Sequence, residues 1–264
     1  MNFKKEYERA RKEKDSILCI GLDPAISEQR RSNVISKNYP GDLGDIIMQF
    51  CMEIIEEVAE ECCAIKINSQ YALFGMSYNK LSKINELIHS HGVLSILDHK
   101  LGDIGSSNES ALFWTAKSGF DAITFSPYAG NIREATDMAH ERELGIIVLD
   151  LMSNPEAEGF QKRTRFNETP LFQRVADDVR TAGADGVVVG ATTHIREVDI
   201  QKIRKLVGDS TIMLFPGIGS QGGEVIKIME NGGKNILLNV GRDIIYAENP
   251  RKQAEEYNNR IRPL

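Results

Sequence analysis

The 264 residues, 41% apolar and 27% charged, can bury one large core and come close to the usual length of a single α/β barrel. A formal charge of -6 removes any global attraction for polyanions, which argues against nucleic acid as a partner but leaves room for a local site that binds a small phosphorylated ligand. No apolar run approaches the roughly 18 residues needed to cross a bilayer, so no membrane partner is expected.

In chain order, residues 1–15 mix Lys4, Lys5, Arg9, Arg11, Lys12 and Lys14 with acids and lack the apolar segment of a secretion signal, so a cytoplasmic protein is expected. Short apolar runs rich in Val, Ile and Leu then recur, each followed by a stretch with helical spacing. The predicted strands are Ile17–Leu22, Cys62–Ile67, Val93–Leu97, Ala122–Phe125, Ile146–Leu151, Gly186–Val189, Thr211–Phe215 and Ile236–Val240. Their lack of polar alternation means burial on both faces, as in a parallel sheet covered by helices. The predicted helices are Leu43–Glu60, Tyr78–His91, Asn108–Ser118, Ile132–Arg142, Pro170–Ala182, Glu197–Val207, Gly222–Asn231 and Pro250–Arg262. Gly92, Gly119 and Gly183 stand where helix ends want a residue tolerant of positive φ, and Asn249-Pro250 reads as an N-cap followed by an N1 proline. Eightfold βα alternation predicts an α/β fold of the (β/α)8 TIM-barrel type, one domain over residues 1–264, with an extra N-terminal helix. Two long loops, Pro24–Asp42 and Ser153–Thr169, would lie on the catalytic face.

In such a barrel the chemistry gathers where strands end, so polar residues that terminate apolar runs are the candidates. Asp23 follows the first strand, Lys66 ends the second, and the third runs into Asp98-His-Lys100-Leu-Gly-Asp103. Asp98 and Lys100 are two apart and would point the same way from an extended strand, toward Lys66 if that way is inward. Asp103, between Gly102 and Gly105, would sit on a tight loop able to reach a second subunit. The bland alternative is a surface salt-bridge cluster, which contributes little. Charges ending adjacent strands in one barrel mouth are harder to dismiss, because leaving them unpartnered there is costly.

After the seventh strand, the turn from Pro216 through Gln221 to Gly223 spells G-x-G-x-x-G with Gly217, Gly219 and Gly222. A dinucleotide site wants that turn in the first βα unit and an acid ending the next strand, whereas here the next strand leads into Gly241-Arg242. A phosphate site built from glycine amides, a helix N-terminus and the Arg242 fork fits better, although the glycines could simply make turns and Arg242 could cap a helix. Cys19, Cys51, Cys62 and Cys63 lack metal-ligand spacing and read as reduced, partly buried structural thiols, so no metal is expected.

Asp98-x-Lys100-x-x-Asp103 resembles the hallmark of the orotidine 5′-monophosphate decarboxylase family, shared with hexulose-phosphate synthase and 3-keto-gulonate-phosphate decarboxylase. Gly21-Leu-Asp23, Lys66, Ser153-Asn-Pro, the Pro216–Gly223 turn and Val240-Gly-Arg242 narrow the resemblance to the decarboxylase set over most of the chain. It implies decarboxylation of orotidine 5′-monophosphate to UMP and CO2, the last step of de novo pyrimidine biosynthesis, without cofactor or metal. Lys66, Asp98, Lys100 and Asp103 would form a charged network, with Lys100 as proton donor to C6. Asp103, Ile104 and Ser107 would come from the partner in a homodimer, Ser107 standing where threonine is more usual. Asp23 and Lys66 would hold the ribose, Ser153 the pyrimidine edge, and Gln221, Gly241 and Arg242 the phosphate, beside Pro216. Two alternatives remain open at this point: a Mg-dependent sister barrel acting on a sugar phosphate, and a non-catalytic phosphate-binding barrel.

Overall fold

The structure, a computed structural model, describes residues 2–192, 194–218 and 223–261. Eight parallel strands close into a barrel: β1 Leu18–Leu22, β2 Ala64–Asn68, β3 Leu94–Leu101, β4 Ala122–Phe125, β5 Gly145–Leu151, β6 Gly186–Val189, β7 Ile212–Pro216 and β8 Ile236–Val240. Each pairs with the next, and closure is made by β1 against β8, with Leu18 opposite Leu238 and Ile20 opposite Val240. Helices follow the strands, as the alternation predicted. They are α2 Leu43–Val58, α3 Ser69–Ala72, α4 Tyr78–Ser90, α5 Gly105–Lys117, α6 Ile132–His140, α7 Leu171–Ala182, α8 Glu197–Val207, α9 Gly223–Asn231, α10 Arg242–Ile245 and α11 Pro250–Ile261. The sequence cues have direct counterparts. Asn249 Oδ1 accepts from Lys252 N at 2.9 Å as the N-cap of α11, and Gly183 ends α7 at φ 76.

The expected extra helix, α1 Phe3–Glu13, decides which end of the barrel is open. Its buried face, Phe3, Tyr7 and Ala10, packs into the interior cluster with Cys19, Leu94, Ile96 and Ile147, and Tyr7 Oη donates to Ile236 O at 2.6 Å. These partners lie near strand N-termini. At Gly145, the first residue of β5, a Cβ would come within 2.4 Å of the Phe3 ring, so a larger residue would displace the plug. With that end filled by apolar side chains, the strand C-termini form the mouth, where barrel chemistry resides.

Two strands bulge near that mouth. In β3, Leu97 faces Ile123 and Leu101 faces Phe125, so the three residues between them oppose Thr124 alone. In β5, Leu149 faces Val188 and Leu151 faces Val189, which leaves Asp150 as the extra residue. The predicted loop 153–169 is partly structured, with a π-helical turn, Glu158–Arg163, and a small hairpin of Arg165–Phe166 with Thr169–Pro170. All four cysteines are free and fully buried, and burial pushes the Cys19 and Cys51 thiols up to about 12.

The bulged Asp150 is buried, and neither carboxyl oxygen has a hydrogen-bond partner among the described residues. Desolvation therefore holds it protonated well above the usual carboxylate range. A folded pKa above the unfolded one penalises folding once pH passes the unfolded value of about 3.9. Asp150→Asn, which cannot ionise, is thus expected to raise Tm by about 3–6 °C near pH 7, with the gain vanishing at about pH 4 in thermal melts. A gain independent of pH would mean that the carboxyl is not the source.

Candidate active site

The mouth is organised by register. Gly21 of β1 lies opposite Lys66 of β2, and Asn68 of β2 lies opposite Asp98 of β3, so the three strand ends carry their polar residues to one rim. Lys66 Nζ lies 2.6 Å from Asp98 Oδ2, and Lys100 Nζ lies 2.8 Å from Asp98 Oδ1. One carboxylate is thus held between two ammonium groups. The Lys66 side chain is 6% exposed and that of Asp98 13%, whereas that of Lys100 is 38% exposed. Burial alone would raise the Asp98 carboxyl, but the charges of Lys66 and Lys100 prevail and hold it far below the usual range. For Lys66, burial favours the neutral amine, but Asp98 outweighs it and keeps the ammonium. Removing Asp98 would strand the buried Lys66 ammonium in a dry site, whereas Asp98 has a second partner if either lysine is lost.

The expectation that Asp98 and Lys100 point the same way because they are two apart in an extended strand needs correction. Lys100 has φ 59, the left-handed region, inside the β3 bulge. Bulges next to active sites re-aim side chains, and this one returns the Lys100 ammonium to Asp98. His99 sits beside Ser69, with Nδ1 and Oγ 3.2 Å apart, and lines an outer apolar cavity with Trp114 and Phe120.

A cavity of about 290 Å³ opens beside the charged row, lined by Asp23, Lys66, Asp98, Pro216, Gly241 and Arg242 among others. Arg242 opens α10 and is exposed, and its guanidinium has no hydrogen bond or ion pair with a described residue, which leaves it available to an anion. Gly217, at φ 74, turns the chain out of β7 beside it. Gln221, Gly219 and Gly222 lie outside the described residues. Asn239 escaped the sequence reading. It is buried at the end of β8, lines this cavity, and its Oδ1 has no partner among the described residues. The signal was present as an amide at the penultimate position of an apolar strand.

Ser153 is not part of that cavity lining. It sits at the end of β5 against β6, so close that a Cβ on Gly190 would come within 2.8 Å of its Cβ. Asp103, Ile104 and Ser107 do not line that cavity in the single chain and are exposed. The Asp103 carbonyl is pinned by Asn108 Nδ2 at 2.6 Å and Asn131 Nδ2 at 3.0 Å, and its carboxylate accepts from Ile104 N–H at 2.8 Å.

Among the described residues no group of three or more His, Cys, Asp or Glu side chains is arranged to hold a metal ion, and no helix is long and apolar enough to cross a membrane.

A family model described as orotidine 5'-phosphate decarboxylase / HUMPS family matches residues 16–257. The orotidine 5'-phosphate decarboxylase of Cupriavidus metallidurans is 35% identical, over 96% of this chain and 93% of its own. That of an Azoarcus species is 34% identical over 94% and 91%. Among solved structures, Leishmania donovani OMP decarboxylase superposes with a TM-score of 0.80 at 26% identity, covering 99% of this chain and 97% of its own.

Proposed function

Because the chain belongs to the orotidine 5′-phosphate decarboxylase / HUMPS family, and is a carboxy-lyase by its curated relatives, we propose that it converts orotidine 5′-monophosphate to UMP and CO2 in the cytoplasm, without metal or cofactor. The observation that carries this reading is the Lys66–Asp98–Lys100 row beside a cavity that Lys66 and Asp98 line together with Arg242, whose guanidinium has no partner among the described residues.

Breaking the bond from C6 to the carboxylate leaves an electron pair in an sp2 orbital that no adjacent group can delocalise. The site must therefore stabilise localised charge where it develops. Lys100 supplies an ammonium for this and then transfers its proton to C6, while Asp98 holds it in position beside the departing carboxylate. Asp23 and Lys66 hold the ribose hydroxyls, Ser153 the pyrimidine edge, and Gln221, Gly241 and Arg242 the phosphate, with Pro216 in the wall. Two ammonium groups flanking Asp98 disfavour a divalent cation there, which supports the decarboxylase over a Mg-dependent sister activity.

A second copy completes the site in this reading, with Asp103, Ile104 and Ser107 crossing to it. In support, Ile104 is 63% exposed at the start of α5, and Phe113 and Trp114 on the same helix form an exposed aromatic cluster with Tyr78, at ring separations of 5.2 and 5.8 Å. Such a patch marks an interaction surface.

The direct test is loss of pyrimidine absorbance when the protein is mixed with orotidine 5′-monophosphate, with and without EDTA. Turnover unchanged by EDTA is expected, and inertness toward this nucleotide would sink the reading. Arg242→Ala is expected to weaken UMP binding about 10- to 100-fold by titration, the scale of a lost charge-assisted contact to phosphate. Unchanged affinity would move the phosphate elsewhere.

A further inference from the structure

Beside β3, which carries Asp98 and Lys100, the next strand places a hydroxyl among apolar residues. Thr124 of β4 is 1% exposed and faces the interior, two residues beyond the inward Ala122, where neighbouring strands offer Ile96 and Ile147. A buried hydroxyl is costly unless it is bonded. This one makes two bonds, both into the β3 bulge: it accepts the backbone N–H of Lys100 at 2.9 Å and donates to Asp98 Oδ1 at 3.0 Å.

We propose that Thr124 is a positioning residue for the reaction, its hydroxyl fixing both the backbone at Lys100 and the carboxylate of Asp98; this rests on the decarboxylase reading above.

The direction of the two bonds follows from chemistry alone. A backbone amide can only donate and an ionised carboxylate can only accept, so the single hydroxyl proton must point at Asp98. Thr124 also stands alone across from the three bulged residues, so no other β4 residue could take this place in the ladder. The oxygen it donates to, Oδ1, is the one that meets Lys100 Nζ, while Oδ2 meets Lys66. Carboxylate rotation is thereby fixed from three sides. The Lys100 backbone, at φ 59, is a conformation that side chains other than glycine adopt only when their surroundings enforce it, and the Thr124 oxygen is what its N–H bonds. One side chain therefore holds both the base of the proton donor and its counter-ion, without reaching the phosphate end of the cavity. Small displacements of a reacting group cost rate far more than affinity.

The test compares wild type with Thr124→Val, which keeps the shape and removes the hydroxyl, and with Thr124→Ser, which restores it. Thr124→Val is expected to lower kcat about 10- to 100-fold with KM for orotidine 5′-monophosphate changed less than about threefold, and Thr124→Ser to recover kcat to within about threefold of wild type. Thermal melts check that each variant is folded, and Thr124→Ala takes the place of the valine variant if that one is not. No turnover by wild type would overturn the decarboxylase reading itself. With wild type active, a valine kcat within twofold, or a serine variant as impaired as valine, would overturn the role of the hydroxyl.

Discussion

Lys100→Ala is expected to lower kcat by at least about 10⁴-fold, because it removes both the charge that offsets the developing carbanion and the proton that quenches it; such contributions run about 10²–10³ and 10²–10⁴ separately. The fold should survive. Asp98 keeps its second partner, Lys66 at 2.6 Å, so no carboxylate is stranded, and the Lys100 side chain is 38% exposed. A partly exposed pair contributes about 1 kcal/mol or less to stability. UMP affinity, set mainly at the ribose and phosphate ends, should stay within about tenfold. Single-turnover decarboxylation by the purified variant, with UMP titration and a thermal melt on the same sample, separates these quantities. Near-normal turnover by a folded variant would remove Lys100 from the chemistry. Loss of UMP binding along with turnover would make it a ligand-binding residue instead.

The barrel was legible because strands buried on both faces leave unbroken apolar runs, although the sequence did not show that α1 plugs one end. β4, β6 and β8 have the predicted bounds. β3 does not. It was expected to stop at Leu97, where the apolar residues stop, yet the ladder continues to Leu101 because Asp98 and Lys100 satisfy one another and Thr124 bonds into the bulge. Local polarity cannot reveal partners supplied by the next strand. For the same reason nothing in the sequence marks Thr124 within the predicted strand Ala122–Phe125, and its bonds into the bulge are visible only with β3 beside it. The turn and hairpin in 158–170 were hidden by a polar segment without period. Asp23, Lys66, Asp98 and Arg242 were found from placement at strand ends, and they line one cavity. The grouping of Asp103, Ile104 and Ser107 came from resemblance alone, since none of the three lines that cavity in the single chain.

That last group yields the second large effect, in which two inactive variants restore each other. The only side-chain bond of Asp103 among the described residues is the one it accepts from the Ile104 N–H, and its exposed carboxylate adjoins the apolar Ile104 rather than the cavity of its own chain. If Asp103 serves the partner's site, Asp103→Asn and Lys100→Ala should each be nearly inactive alone. Mixed after reversible dissociation, half of the dimers at equal input pair one of each. In such a dimer, the protomer carrying Asp103→Asn still has its own Lys100 and receives an intact Asp103 from its neighbour, while the other site lacks both groups. One site in two works in half of the dimers, so the mixture should regain about a quarter of wild-type activity. If Asp103 acted within its own chain, every site in every dimer would lack one essential group, and mixing would restore nothing. Recovery should also follow dimer exchange in time, and a cross-linked dimer of either variant should give none on mixing. No recovery despite verified exchange would assign Asp103 to its own protomer and take away the reason for a shared site.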